Sequence, residues 1–277
     1  MIKDLVVNLS LRDAPDVALD FAVSAAAALD AHLAGVAFVC EPSVPAMMDM
    51  YGMPADVIEA QRSVNEKTAK TAVSRLDEAA RRAAVSAAAR TLDTSVANAP
   101  GLFAQIARRF DLSVVGQPES ERPALDTLVV EAALFESGRP VLVVPYIQRA
   151  PLGLDHVILA WDGSRSAARA AADAVPFLAR SKLVEVVMVA SEPAKSDEMP
   201  GADIAHHLAR HGAKVEVNRI VTTETDVAST ILSHAADVSA DLLVMGGYGH
   251  SRLREFVLGG ATRAILGSMT LPTLLSH

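Results

Sequence analysis

The sequence predicts an α/β protein of two tandem copies of one unit, each a mainly parallel five-stranded sheet with helices on both faces. Three observations lead there. Short Val- and Leu-rich runs alternate with Ala-rich stretches of helical period. The same order of runs returns in the second half of the chain, which points to an internal duplication. The run Leu242 to Met245 is apolar throughout, as a parallel strand buried on both faces is.

In the first copy, Ile2 to Leu9 is a strand pattern, Asp16 to Ala31 a helix pattern and Leu33 to Val39 a second strand. An insert, Glu41 to Glu66, opens with Pro42, Pro45 and Pro54 and the patch Met47, Met48, Met50 and Met53. A helix pattern follows from about Asp56 to Ala89. The methionines are read as a loop packing onto its own domain, with an adaptable contact surface as the alternative. Leu102 to Phe110 is an amphipathic helix, Asp111 to Gly116 a strand, and Val141 to Val144 the terminal strand. A linker near Ile147 to Leu154, containing Pro151 and Gly153, divides the chain into domains 1–147 and 154–277. The second copy repeats the order: His156 to Trp161, Ala167 to Leu178, Leu183 to Ala190, Val227 to Ala236, Asp241 to Gly246 and Leu271 to Leu275. Val141 to Val144 is expected to pair with Thr273 to Leu275, because an unpaired apolar edge invites aggregation.

Composition narrows the function. The 277 residues are 51% hydrophobic but only 4% aromatic, so the cores are built from Ala, Val and Leu. A net charge of −8 spread over both halves argues against a nucleic-acid groove, and any anion site has to be local. The single cysteine, Cys40, excludes an internal disulfide and a Cys-based zinc site and reads as a small apolar residue. No apolar run reaches the ~18 residues a membrane span needs, and the N-terminus has no leader pattern, so the expectation is a cytoplasmic protein without membrane contact.

The strand at Leu242 to Met245 runs into Gly246-Gly247-Tyr248-Gly249; nine residues later come Gly259-Gly260-Ala261-Thr262-Arg263. Without a Cβ, a chain turning there brings its N–H groups close to an anion, and a helix starting near Ala261 points its positive end at it. A second motif, Asp162-Gly163-Ser164, follows the first strand of the same copy.

With these two motifs the chain resembles the universal stress protein family in its tandem form, which has an adenine-nucleotide α-hydrolase-like fold. ATP-binding members carry Gly-x-x-Gly, nine residues, then Gly-Ser/Thr after the fourth strand; Gly246, Gly249 and Gly259 match these glycines. Asp162-Gly163-Ser164 matches their aspartate followed by Gly-Ser. The resemblance implies an adenine nucleotide, ATP or AMP, with or without Mg²⁺, at Ala160, Asp162, Gly163, Ser164, Ala190, Gly246, Gly249, His250, Gly259, Gly260, Ala261 and Thr262. Ser251 and Arg263 are further polar candidates, and Arg252 and Arg254 add local positive charge. Asp162 reads equally well as a turn or cap aspartate. The pattern departs at Gly260, where a hydroxyl residue stands in ATP-binding members, at a cost of roughly 1–3 kcal/mol; Thr262 is the candidate to replace it. The first copy has Asn8-Leu9-Ser10 and Gly116-Gln117-Pro118-Glu119 instead, which are adverse to phosphate. It is expected to be nucleotide-free and structural.

The resemblance implies a stress-response module acting through ligand occupancy, with a pseudo-dimer of its two domains, an unidentified protein partner and optional homodimerisation. The alternatives are a scaffold of the same fold that binds no nucleotide and, less favoured, a slow ATPase. No P-loop, no dinucleotide pattern after either first strand and no Gly-x-Ser-x-Gly elbow occurs, and no catalytic residue is assigned. His206, His207 and His211 share one helix pattern; the His207/His211 spacing suits a metal, but surface histidines are the preferred reading and no metal is assigned.

Overall fold

The computed structural model describes residues 1–12, 15–40, 55–118, 123–190, 201–222, 226–247 and 260–277. The chain forms two compact units, Ile2–Arg139 and Pro140–His277. Both alternate strands with helices in the α/β order expected, with helices on both sheet faces.

The N-terminal unit runs β1 (Asp4–Asn8), α1 (Val17–Leu29), β2 (His32–Cys40), α2 (Ala55–Arg82), β3 (Ala87–Thr94), α3 (Ala99–Ala107), β4 (Leu112–Gly116) and α4 (Pro123–Glu136). Its strands are ordered β3-β2-β1-β4, with β1 parallel to both β2 and β4. The three central residues of β1 are fully buried, as the apolar run Leu5-Val6-Val7 requires. Asp16 caps α1 by accepting from the N–H of Leu19 at 3.0 Å, and Asp30 ends it in the left-handed region at φ 51°.

One element corrects the sequence reading. The helix expected to reach Ala89 stops at Arg82, Ala84 takes φ 54°, and Ala87 to Thr94 form β3 alongside β2. Alanine favours helix locally, but parallel pairing from Leu33↔Ala87 to Cys40↔Thr94 supplies a whole ladder of hydrogen bonds, and tertiary pairing outweighs propensity.

The C-terminal unit begins with β5 (Val141–Val144) and continues β6 (His156–Ala160), α5 (Arg165–Leu178), β7 (Leu183–Ala190), α6 (Ala202–Arg210), β8 (Val215–Val221), α7 (Val227–Asp237), β9 (Leu242–Gly246), α8 (Gly260–Ser268) and β10 (Thr273–Ser276). Its strand order is β5-β10-β9-β6-β7-β8. Every neighbouring pair from β10 to β8 is parallel, whereas β5 lies antiparallel to β10 with Thr273 opposite Val143 and Leu275 opposite Val141. This is the pairing expected for the edge of Val141 to Val144, and both strands are fully buried.

The duplication is visible in side-chain roles. Asp111, before β4, accepts from the backbone N–H groups of Lys3 (2.8 Å) and Asp4 (3.2 Å) through Oδ2. Asp241, before β9, does the same for Asp155 (2.7 Å) and His156 (2.9 Å). In each unit one carboxylate locks the entry of the first strand to the fourth. Gly153 makes room for the second of these locks, since a Cβ there would lie 2.5 Å from Asp241 Oδ1.

Candidate functional site

In the C-terminal unit the chain leaves β6 toward β7 and β8 on one side and returns to β9 and β10 on the other. The strand order therefore reverses between β6 and β9, and the crevice outside their carboxyl ends is where ligands bind in such sheets. Ala160 ends β6 opposite Met245, and Gly246 ends β9 one residue on. The two motifs singled out in the sequence thus leave adjacent strands at this point.

Beyond Ala160 the chain makes a compact turn. Asp162 Oδ1 accepts from the N–H of Ser164 at 2.9 Å, Gly163 takes φ +72°, and Ser164 caps α5 by accepting from the N–H of Ala167 at 3.1 Å. The positive φ is what favours glycine at 163, since a Cβ there would meet nothing within 4 Å and packing makes no such demand. Asp162 is a turn-forming aspartate and is also exposed. Ser164 Oγ, 3.1 Å from Ser166 Oγ, is engaged in the cap.

Gly246 has a packing reason to be glycine. A Cβ there would lie 2.5 Å from the backbone nitrogen of Ala167 and 2.6 Å from the carbonyl carbon and Oγ of Ser166. The end of β9 is pressed against the first turn of α5. Gly247 is buried with both backbone groups engaged: its N–H donates to Ser276 O at 2.7 Å, and its carbonyl accepts from His277 Nδ1 at 3.1 Å. The Ala190 carbonyl, at the end of β7, accepts from the N–H of Thr222 at 3.0 Å. Ser276 Oγ, opposite Gly246 in the β9–β10 register, is buried with no partner among the described residues.

Gly260 and Ala261 open α8 and are exposed, with space around Gly260; Arg263 is also exposed. Thr262 is 3% exposed. Its place on the helix groups it with the buried Ile265 and Leu266. Gly249, His250, Gly259, Ser251, Arg252 and Arg254 lie outside the described residues, as does the methionine patch of the first copy.

In the N-terminal unit the stretch that follows β1 is tied down by the protein's own groups. Ser10 N–H donates to Asp16 Oδ2 at 2.7 Å, Arg75 Nη1 donates to Arg12 O at 2.9 Å, and Arg12 Nη2 pairs with Asp126 Oδ2, in the first turn of α4, at 2.6 Å. Burial raises the carboxyl of Asp16, opposed by the backbone N–H groups of Ser10 and Leu19.

One cluster has no counterpart in the sequence reading. Glu185 on β7 is 7% exposed and accepts through Oε1 from Asn218 Nδ2 on β8 (2.7 Å) and His234 Nε2 on α7 (2.9 Å), and through Oε2 from His156 Nε2 on β6 (3.0 Å). Burial pushes this carboxyl up, but the donors and the nearby imidazoles outweigh it, leaving Glu185 below its ordinary range. A charged residue within an otherwise apolar strand was the available signal, LVEVVMVA over β7.

These features define an α/β protein whose parallel sheet reverses its strand order between β6 and β9. Residues 153–277 match the family model described as the universal stress protein family. Universal stress protein Slr1230 of Synechocystis sp. is 30% identical over 151 residues, 52% of this chain and 49% of that protein, so the match spans about half the length of the curated relative. A universal stress protein from Archaeoglobus fulgidus superposes with a TM-score of 0.70 at 15% identity, over 99% of this chain and 97% of its own. A functionally unknown protein from Pseudomonas aeruginosa gives 0.61 at 13%, over 99% and 92%. At such identities the structural likenesses speak for the fold. Residues 153–277 thus carry a domain of the universal stress protein family.

Proposed function

We propose that the C-terminal unit binds an adenine nucleotide, ATP or AMP, in the crevice between β6 and β9, and that the protein works as a cytoplasmic stress-response module through occupancy of that site. The observation that carries this reading is the meeting of Asp162-Gly163-Ser164 and Gly246 where the strand order reverses between β6 and β9. Asp162 would accept from the base or ribose, and the exposed first turn of α8 at Gly260 and Ala261 would face phosphate with its N–H groups. Mg²⁺ would accompany a triphosphate as counter-charge. The two copies, 1–147 and 154–277, would divide the work. The N-terminal one would be structural, a reading supported by the engagement of Arg12, Asp16, Arg75 and Asp126 with one another and with the backbone beyond β1.

The burial of Thr262 favours a second reading, a scaffold that has kept the fold and lost the ligand. Calorimetric titration of MgATP and of AMP into protein stripped of ligand by unfolding and refolding separates the two. Saturation at one nucleotide per chain, weakened at least about tenfold by Asp162→Ala, supports the site, a loss of about 1.4 kcal/mol or more. No saturable heat, or an unchanged affinity in Asp162→Ala, refutes it.

A further inference from the structure

From the histidine pair at the end of α6 we infer a surface chelate for a borderline divalent cation such as Zn²⁺, Cu²⁺ or Ni²⁺. His207 lies in the last turn of α6 and His211 caps it, four residues on, the spacing at which two helical imidazoles reach one ion. Their rings are edge to face, with centroids 4.8 Å apart and planes at 63°. That separation fits one shared ion. With each metal–nitrogen bond at about 2.0–2.1 Å and each ring centre about 1.1–1.2 Å beyond its nitrogen, bite angles of about 90–109° put the centroids about 4.5–5.2 Å apart.

The surroundings suit a cation. Ile204 and Leu208 are buried and anchor the inner face of α6, so the backbone that carries both histidines is held by the core while their side chains are exposed. The pair stands at the carboxyl end of the helix, where the unpaired carbonyls favour positive charge. Among the described residues no group of three His, Cys, Asp or Glu is arranged around a metal, so the pair acts as a two-nitrogen chelate with water completing the coordination. Two imidazoles without a carboxylate select Zn²⁺, Cu²⁺ and Ni²⁺ over Mg²⁺ and Ca²⁺.

The test uses the full untagged chain, titrated with ZnCl₂ by calorimetry and with CuCl₂ by electron paramagnetic resonance. Expected are saturation at one ion per chain, copper hyperfine structure from two imidazole nitrogens, and at least about tenfold weakening in both His207→Ala and His211→Ala. His206→Ala, one residue off the pair, serves as control and should change the affinity less than about twofold. All three positions are exposed, so circular dichroism should show folded variants. The inference is overturned if wild type shows no saturable binding below millimolar metal, if His207→Ala keeps the two-nitrogen signal, or if His206→Ala weakens binding as much as the pair variants.

Discussion

Replacing Gly246 with alanine would put a methyl carbon 2.5 Å from the backbone nitrogen of Ala167 and 2.6 Å from the carbonyl carbon of Ser166. Ordinary contact needs about 3.5–4.0 Å, so the end of β9 and the first turn of α5 would have to part by about 1 Å. Two of the three crowded atoms are backbone, held by the Ser164 cap, and no rotamer change relieves them. Overpacking of this kind costs typically 1–3 kcal/mol, and rigid neighbours place Gly246→Ala at roughly 2–3 kcal/mol. Urea unfolding of the full chain followed by circular dichroism reads that loss. Calorimetry should show the transition of the unit that carries it lowered by on the order of 10 °C. The loss should already be present without added nucleotide, since the clash lies between protein atoms. A stability within about 0.5 kcal/mol of wild type would refute the packing argument and return Gly246 to a role in backbone approach to a ligand. For the same reason Asp162, exposed and at the turn, is the cleaner probe of binding.

Glu185→Ala strips the acceptor from Asn218, His156 and His234; with the imidazoles 16% and 18% exposed and able to find some water, the expected loss is roughly 2–4 kcal/mol by urea unfolding. The Glu185 carboxyl titrates lower in the folded protein than its ordinary 4.5, so its contribution is full above that value and is lost as pH falls through the folded pKa. As pH falls below 4.5 the wild-type stability curve should drop more steeply than that of Glu185→Gln, and parallel curves would sink the assignment. Arg12 and Asp126 are each about one-third exposed, so an Arg12→Ala/Asp126→Ala double-mutant cycle should show a coupling of about 0.5–1 kcal/mol that shrinks in 1 M NaCl; a salt-independent coupling would exclude an ion pair.

The sequence by itself determined the α/β class, the duplication and the position of both crevice motifs, because apolar period, glycine spacing and turn chemistry are local properties. Asp162-Gly163-Ser164 forms the turn and cap its residue types dictate, and Gly246 falls at a strand end as its neighbours require. Tertiary structure alone decided matters that depend on distant partners. Ala87 to Thr94 is a strand because β2 offers it a ladder, and Thr262 is buried because of the face α8 turns inward. The need for glycine at 246 comes from the first turn of α5, nearly eighty residues earlier, as the clash with Ala167 shows. The Glu185 network joins side chains 29, 33 and 49 residues apart on three further elements. Side-chain partnership across a folded sheet depends on register and layer packing, which no local pattern encodes.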